Sequence, residues 1–406
     1  MRYEGDNMAG VRRGNRAAVL QCLRHSGGLS RKRLSEQLGL TPAALTNIAA
    51  ELIDEGLVVE SGAVPSGAVG RREITLELYP FARCALGVHL GLGSAILSAV
   101  WLNGEVLFSE TVPLPLGAPA EETVRKLSER LLALAAENGI SRERMLGVGV
   151  AVRGAIREDG RTVQSSFDTL DAKNFPICDR FEAYTGLKAT LSNNVRALFA
   201  AEMFLAGGDA PESAFFLRCE AGIGAAVSVE DRIWFGAHRM CAEIGHIPVI
   251  RRGGKPCHCG KSGCLETIAS PTAIREDAQL SLSPVGTPLL WQLCGGERKR
   301  VTTALVLDAA RGGDHGASQI VDRAVHALGD ALKSAIYLLD PAKILLYGDI
   351  FEHPYYLSRL TSEMDYGMDP AHTAPIEKSR YNGKLEDKAA GILVAEQFLK
   401  NGGSIE

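Results

Sequence analysis

The first sixty residues contain three short stripes of apolar residues at helical spacing, and a glycine follows each stripe. Val19, Leu20 and Leu23 form the first stripe, which ends at Gly27 and Gly28. Glycine readily takes the left-handed conformation that closes many helices. The pattern therefore predicts three separate helices in this region.

The second and third predicted helices have recognisable starts. Ser30 can cap the second helix, and Gly39 can close it. Thr41 followed by Pro42 combines a capping hydroxyl with a proline in the first turn, where proline is favoured. The apolar stripe of the third helix consists of Leu45, Ile48, Leu52 and Ile53, and it ends before Gly56.

Two short strands are predicted after the helices. Residues 57–59 are apolar, and residues 74–78 alternate apolar and polar side chains as a half-buried strand does. The stretch between them, SGAVPSGAVGRR, is rich in turn-forming residues and ends in Arg71 and Arg72. Together these elements predict a winged helix-turn-helix domain over residues 11–80, a fold that reads double-stranded DNA.

The third helix carries the residues that we expect to read DNA, because side chains near its N-terminus reach base edges in the major groove. These residues are Thr41, Ala43, Ala44, Thr46 and Asn47. Phosphate contacts are expected from Arg12, Arg13, Arg16, Arg31, Lys32 and Arg33. Arg71 and Arg72 are expected to enter the minor groove. The alternative is a winged helix that serves only protein contacts.

The basic character of this segment is local. Between Val11 and Ser35 there are seven Lys or Arg and no Asp or Glu, whereas the chain of 406 residues has a net charge of −4. This length predicts two or three folding units. The sequence has no apolar run of about 18 residues and no secretory leader at its start. We therefore expect a cytoplasmic protein that does not bind membranes and whose nine cysteines are reduced.

A compact cysteine cluster follows in the second half of the chain. Cys257, Cys259 and Cys264 lie within eight residues, and His246 precedes them by eleven residues. Three thiols and one imidazole suit a tetrahedral structural Zn²⁺ site. His258 is an alternative to His246 as the fourth ligand. The expected metal loop spans residues 243–266.

These motifs resemble those of the ROK family, which contains repressors, open reading frames and sugar kinases. EIGH followed by CHCGKSGCLE resembles the family's metal and sugar motif. GVHLGLGSAILSAVWLNGEVL, GVGVAVRGAI, SNNVRALFAAEMFLAG, EAGIGAAVSVEDRI and LDPAKILLYGDI are similar to its other conserved segments. The N-terminal winged helix places the chain in the repressor branch of the family.

The resemblance implies an α/β protein in which a two-lobed, actin-like (ribonuclease H-like) sugar-kinase fold follows the winged helix. It places the first lobe at residues 81–190 with the C-terminal helix 386–400, and the second lobe at 191–385. It also implies which side chains hold the hydroxyls of a sugar. Those residues are Asn193, Asn194, Glu243, His246 and Glu266.

The sequence departs from the family pattern at the positions that serve catalysis. Family kinases use an aspartate as the base where this chain has Asn194, and an amide cannot accept that proton. His89 replaces the carboxylate of the first phosphate loop, Ala221 replaces the hydroxyl of the second, and Asp349 follows a single glycine where the family has a pair. Because phosphoryl transfer depends on positioning and charge neutralisation, we predict a non-enzymatic sensor without catalytic residues.

Arg153 replaces a proline of the family pattern. A guanidinium there favours an acidic or phosphorylated ligand, unless the side chain forms a local salt bridge. The overall prediction is a DNA-binding repressor of carbohydrate genes that responds to a carbohydrate or sugar phosphate and forms a homodimer or homotetramer. The alternatives are an active sugar kinase, a sensor for a protein partner, and a constitutive DNA binder whose second part is only a scaffold.

Overall fold

The computed structural model describes residues 8–64, 73–166, 169–369 and 373–405. The chain divides into two compact units. Unit 1 comprises Met1–Ala210 and Leu385–Glu406, and unit 2 comprises Pro211–Lys384. The sequence-based lobe boundary at residues 190 and 191 stays a prediction. Within the described residues, no helix has the length and apolar character needed to cross a membrane.

Unit 1 opens with the winged helix that the sequence predicts. Its elements are α1 (Met8–Ser26), β1 (Leu29–Ser30), α2 (Arg31–Leu38), α3 (Pro42–Asp54), β2 (Val58–Val64) and β3 (Glu73–Leu78). The predicted caps form, since Ser30 accepts a hydrogen bond from the backbone of Arg33 and Thr41 accepts one from that of Ala44. Gly39 closes α2 with φ +64°, a left-handed conformation that glycine takes without strain. The three strands pair in the order β1-β3-β2.

The rest of unit 1 is an α/β lobe around a five-stranded sheet. Its elements up to residue 206 are β4 (Cys84–Leu90), β5 (Ser94–Trp101), β6 (Val106–Pro113), β7 (Ala118–Pro119), α4 (Ala120–Glu137), β8 (Met145–Val152), β9 (Gly154–Ile156), β10 (Val163–Ser166), β11 (Leu170–Asp171), β12 (Lys173–Phe175), α5 (Ile177–Thr185), β13 (Ala189–Asn193) and α6 (Asn194–Ala206). The sheet order is β13-β8-β4-β5-β6. Strands β4, β5 and β6 form an antiparallel meander, and β8 and β13 continue it in parallel.

Unit 2 repeats this strand pattern. Its elements are β14 (Ala214–Cys219), β15 (Ile223–Val229), β16 (Arg232–Ile233), α7 (Glu266–Ala269), α8 (Pro271–Ser281), α9 (Pro288–Leu293), α10 (Thr303–Arg311), α11 (His315–Leu339), β17 (Lys343–Tyr347), α12 (Pro354–Asp365) and β18 (Ile376–Lys378). The sheet order is β16-β15-β14-β17-β18, again a meander followed by two parallel strands. Each unit buries its own apolar core against its sheet.

The last helix, α13 (Ala389–Lys400), returns to unit 1 and packs against β4 and β8. Glycines in both strands make this close approach possible. A Cβ added at Gly149 would lie 1.7 Å from the carbonyl oxygen of Ala390, and one at Gly87 would lie 2.8 Å from the backbone nitrogen of Gly391. Only residues without a side chain fit under this helix at those two positions.

Candidate ligand site, metal centre and DNA-reading face

Helix α3 turns its apolar stripe inward and leaves its N-terminal turns open. Leu45, Ile48 and Leu52 are buried. On the other face, four of the predicted base-reading residues are exposed, and Ala44 is half-buried. The exposed four are Thr41, Ala43, Thr46 and Asn47. The hydroxyl of Thr46 donates to the carbonyl oxygen of Pro42 at 2.7 Å, which leaves its methyl group and the Asn47 amide as surface features.

Some of the basic side chains around α3 are exposed, and others form ion pairs with nearby glutamates. Lys32 and Arg33 are exposed. Arg31 pairs with Glu60 at 2.8 Å in an exposed ion pair that DNA phosphates can replace. Three further arginines and two wing residues were predicted as DNA contacts. Of these, Arg12 and Arg16 form ion pairs with Glu51, Arg13 is exposed, and Arg71 and Arg72 lie outside the described residues.

The predicted amide pair lies where β13 ends and α6 begins. Asn193 caps α6, because its Oδ1 accepts a hydrogen bond from the backbone of Val195 at 2.9 Å. Its Nδ2 donates to the carbonyl oxygen of Gly154 at 3.0 Å. Asn194 is only 5% exposed, and the part of the chain that the structure describes offers its amide no hydrogen-bond partner. Asn194 is therefore the member of the pair whose full hydrogen-bonding capacity remains for a ligand.

Arg153 directly follows β8, whose last residue Val152 pairs with Asn193 in the parallel register. The Arg153 side chain is half-buried, and no Asp or Glu among the described residues forms an ion pair with it. Other half-buried arginines of unit 1 are neutralised by carboxylates or bound to carbonyl groups; Arg16, for example, binds Glu51, Glu55 and the carbonyl oxygen of Gly402. The local salt bridge left open by the sequence is therefore absent from the described part of the chain.

The four predicted metal ligands converge in unit 2. The Nδ1 atom of His246 lies 3.6 Å from the Sγ atom of Cys257, and the Sγ atoms of Cys259 and Cys264 are 3.6 Å apart. All four ligand atoms lie within 4.8 Å of one another, so the cluster could hold a metal ion. Burial raises the pKa of the Cys257 thiol to about 12, so this thiol keeps its proton at neutral pH unless a metal replaces it.

Glycines shape the loop that presents these thiols. Gly260 has φ +85° and Gly263 has φ +74°, both in the left-handed region. A Cβ on Gly263 would lie 2.1 Å from the carbonyl oxygen of Ile250. The backbone N–H of Cys257 donates to the carbonyl oxygen of Lys261 at 2.8 Å and closes a turn that contains the first two thiols and precedes the third. The tight turns explain why three ligands fit within eight residues.

Glu266 and the turn that follows Glu243 both approach Ile223, the first residue of β15. Glu266 accepts a hydrogen bond from the backbone of Ile223 at 3.0 Å. Glu243 precedes a 3-10 turn at Ile244–His246, and a Cβ on Gly245 in that turn would lie 2.1 Å from the carbonyl oxygen of Ile223. The structure thus brings Glu266 and the turn between Glu243 and His246 to one strand end.

His258 contacts Glu266, and sequence reasoning missed this role. Its Nδ1 atom lies 2.9 Å from Oε1 of Glu266, and its ring packs edge-on against that of His246 with centroids 5.0 Å apart. Burial acts to raise the pKa of Glu266, but the hydrogen bond and charge of His258 outweigh it and lower the pKa. In the sequence Cys-His-Cys, the middle side chain points away from a metal that both cysteines bind. This alternation could have indicated that His258 has another partner.

The loop that corresponds to the second phosphate loop is a tight turn, in which the backbone of Glu220 donates to the carbonyl oxygen of Gly222 at 2.9 Å. A cavity of about 570 Å³ lies beside this turn in unit 2. Three carboxylates from two segments contribute to its lining: Glu220 beside the turn, and Asp349 and Glu352 in the 3-10 turn after β17. Glu220 forms an ion pair with Arg218, and Glu352 forms one with Lys378 at 2.6 Å.

The fold and these sites define a DNA-binding winged helix joined to a lobe pair of the sugar-kinase type. A model of the MarR family matches residues 15–61, and a model of the ROK family matches residues 85–390. The chain belongs to the ROK family, and the winged helix gives it the architecture of that family's transcription regulators.

Relatives of both kinds are similar to this chain. The DNA-binding transcriptional dual regulator NagC of Escherichia coli is 31% identical over 351 residues, which cover 84% of this chain and 82% of the relative. A glucokinase of Thermotoga maritima is 30% identical over 265 residues, which cover 65% of this chain and 81% of the enzyme. The match to the regulator extends over more of the chain than the match to the kinase.

Solved structures share the fold. A ROK family transcriptional regulator, a homologue of the Escherichia coli MLC protein, superposes with a TM-score of 0.79 at 24% identity and covers 97% of this chain and 98% of its own. A ROK family glucokinase from Streptomyces griseus, in complex with glucose and AMPPNP, has a TM-score of 0.63 at 22% identity and covers 76% of this chain and 98% of its own.

Proposed function

We propose that this protein is a repressor whose sensor lobes bind a carbohydrate effector and control operator binding by the winged helix. The observation that carries the proposal is that one chain combines an exposed face on α3 with a buried amide, Asn194, that has no hydrogen-bond partner among the described residues. Similar relatives include proteins named as the N-acetylglucosamine repressor and the xylose repressor. An operator with two-fold symmetry requires two reading heads, so we also propose a homodimer or homotetramer.

We propose that the cysteine cluster holds a structural Zn²⁺. With Zn–S bonds of about 2.3 Å and Zn–N bonds of about 2.0 Å, tetrahedral geometry separates two sulfurs by about 3.8 Å and a sulfur from a nitrogen by about 3.5 Å. The separations of 3.6 Å for both kinds of pair support this ion. Four protein ligands leave no open position, so the metal would stabilise the loop that carries Glu266 rather than activate water.

We propose that the sensor has lost phosphoryl transfer. Asn194 cannot serve as the base, and Ala221 offers no hydroxyl in the second loop. His89 lies buried at 4% exposure where the family pattern has an acid. A coupled assay for ADP release with N-acetylglucosamine, glucose and xylose tests this, and turnover of any of them would contradict it.

We propose further that the effector carries an anionic group. Burying an uncompensated guanidinium is unfavourable, and a phosphate or carboxylate on the ligand would neutralise Arg153. The phosphate esters of N-acetylglucosamine and glucose, the corresponding uronic acids and the neutral sugars are the probes to compare. Calorimetry should show at least about tenfold tighter binding of one anionic class. Arg153→Gln should remove this preference, while Arg157→Gln, at an exposed arginine nearby, should keep it.

DNA binding itself requires an experiment in which the operator need not be known. Duplexes recovered by selection from a random library would be titrated against the protein and followed by fluorescence anisotropy. A specific duplex should bind about 10³-fold or more tightly than random DNA. Addition of the true effector should then weaken binding. Equal affinity for selected and random duplexes would refute the proposed regulator.

A further inference from the structure

Helix α1 of the winged helix packs within unit 1 against α13 and against the 3-10 turn Gly207–Asp209 that directly follows α6. The guanidinium of Arg24 lies 4.1 Å from the centroid of the Phe204 ring, and its Nη1 donates to the Phe204 carbonyl oxygen at 2.6 Å. Arg16 donates from Nε to the carbonyl oxygen of Gly402, just beyond α13, at 2.9 Å. Two arginines of α1 therefore join the DNA-binding domain to the lobe that follows it.

The carbonyl group of Phe204 is one of the last four of α6, which have no partner inside the helix. A cation at this end also interacts favourably with the helix dipole. Burial lowers the pKa of Arg24 to about 10, so the side chain is still a cation at neutral pH. Arg24 therefore caps the C-terminus of α6 from outside the helix.

The opposite end of α6 carries the amide pair. The helix starts at Asn194, is capped by Asn193 and runs for 13 residues, about 20 Å. Its side chains from Asn194 to Glu202 are buried. Close packing along the helix favours movement as one body, so a shift at the first turn reaches Phe204.

The contact continues into the DNA-reading helix. Besides Gly402, the side chain of Arg16 binds Glu51 at 3.0 Å and Glu55 at 2.5 Å. Glu51 belongs to α3 and Glu55 is its C-terminal cap. Helix α1 therefore touches the lobe with one set of contacts and the end of the reading helix with another.

We propose that Arg24 is a positioning residue that couples the Asn194 end of α6 to the orientation of α3, and this rests on the function proposed above. Coupling between two sites is reciprocal, so DNA on α3 must also change the start of α6. This reciprocity provides a test that requires no knowledge of the effector.

Hydrogen exchange would be measured on the full-length protein with and without a selected DNA duplex. In the wild type, DNA should slow exchange in peptides covering residues 41–54 and, by about tenfold, in those covering residues 194–200. Arg24→Gln should keep the first effect and lose the second. Arg24→Lys, which keeps the charge but not the planar donor group, should retain part of it.

Arg125→Gln is the matched control, because Arg125 lies on α4 of the same unit and its ion pair with Glu129 is exposed. It should behave as the wild type, and thermal unfolding would confirm that each variant is folded. Unchanged exchange at residues 194–200 in the wild type, or an equal change in Arg24→Gln, overturns the coupling. If residues 41–54 also show no protection, the proposed DNA-binding function fails together with it.

Discussion

Replacing Cys264 with serine tests the metal centre, and the chain provides a matched control. Cys264 and Cys294 are both fully buried in unit 2, but only Cys264 belongs to the cluster. In each variant a hydroxyl replaces a buried thiol, at a cost of about 1–3 kcal/mol when it lacks a full set of partners. Cys264→Ser additionally removes one of four metal ligands.

The loss of a metal ligand in Cys264→Ser should cost more stability than the replacement of a buried thiol by a hydroxyl. Structural Zn²⁺ sites have apparent binding free energies of about 10–16 kcal/mol in small zinc peptides at pH 7. A unit of this size loses about 2–4 °C in Tm for each kcal/mol of stability. Cys294→Ser should therefore lower Tm by several degrees, and Cys264→Ser should lower it further.

Metal content and chelator sensitivity distinguish the two causes. Elemental analysis should find one zinc per chain in the wild type and in Cys294→Ser, and close to none in Cys264→Ser. A chelator should lower the Tm of the first two proteins and leave that of the third unchanged. Stoichiometric zinc in Cys264→Ser, or a wild-type Tm that is unaffected after the metal is removed, would refute the proposed site.

Other substitutions test the reading face and the packing. Asn47→Ala should weaken specific DNA binding by about 1–3 kcal/mol and relax selection at one base pair. Lys32→Ala should instead weaken binding to all sequences and reduce the slope of log affinity against log salt concentration by about 1. Fluorescence anisotropy at several salt concentrations distinguishes the two effects. Asp314→Ala should lower the free energy of unfolding of unit 2 by about 3 kcal/mol or more, because Asp314 accepts three backbone hydrogen bonds. Urea denaturation measures this, and a midpoint equal to that of the wild type would contradict it. In Gly149→Ala the new Cβ would overlap the Ala390 carbonyl group, so α13 should separate from the sheet and the C-terminus should become accessible to proteases. A proteolytic cleavage pattern like that of the wild type would contradict this.

The sequence predicted the local features of the fold because their causes lie within a few residues. The hydroxyls of Ser30 and Thr41 cap their own helices, and Gly39 closes the turn beside it. The spacing of Cys257, Cys259 and Cys264 likewise brings three thiols together in one loop. The predicted wing residues Arg71 and Arg72 lie outside the described residues.

The partners of individual side chains were less predictable, since they come from distant parts of the chain. Asn193 is a helix cap with two hydrogen bonds, and Arg16 forms an ion pair with Glu51, while its contact with DNA phosphate stays a prediction. The residues next to Asn193 and Arg16 in the sequence do not indicate these partners.

What the sequence by itself determined is the helices and strands of the winged helix, the loop that brings three cysteines together, and an amide rather than a carboxylate at Asn194. Helix caps, periodicity and ligand spacing act over one or two turns, so they can be read in order along the chain. Only the tertiary structure decided that Arg153 has no acidic partner among the described residues and that Arg24 caps α6 from 180 residues away. Such contacts depend on which surfaces meet when the elements pack, and that is decided by the summed burial of the whole core rather than by any short segment.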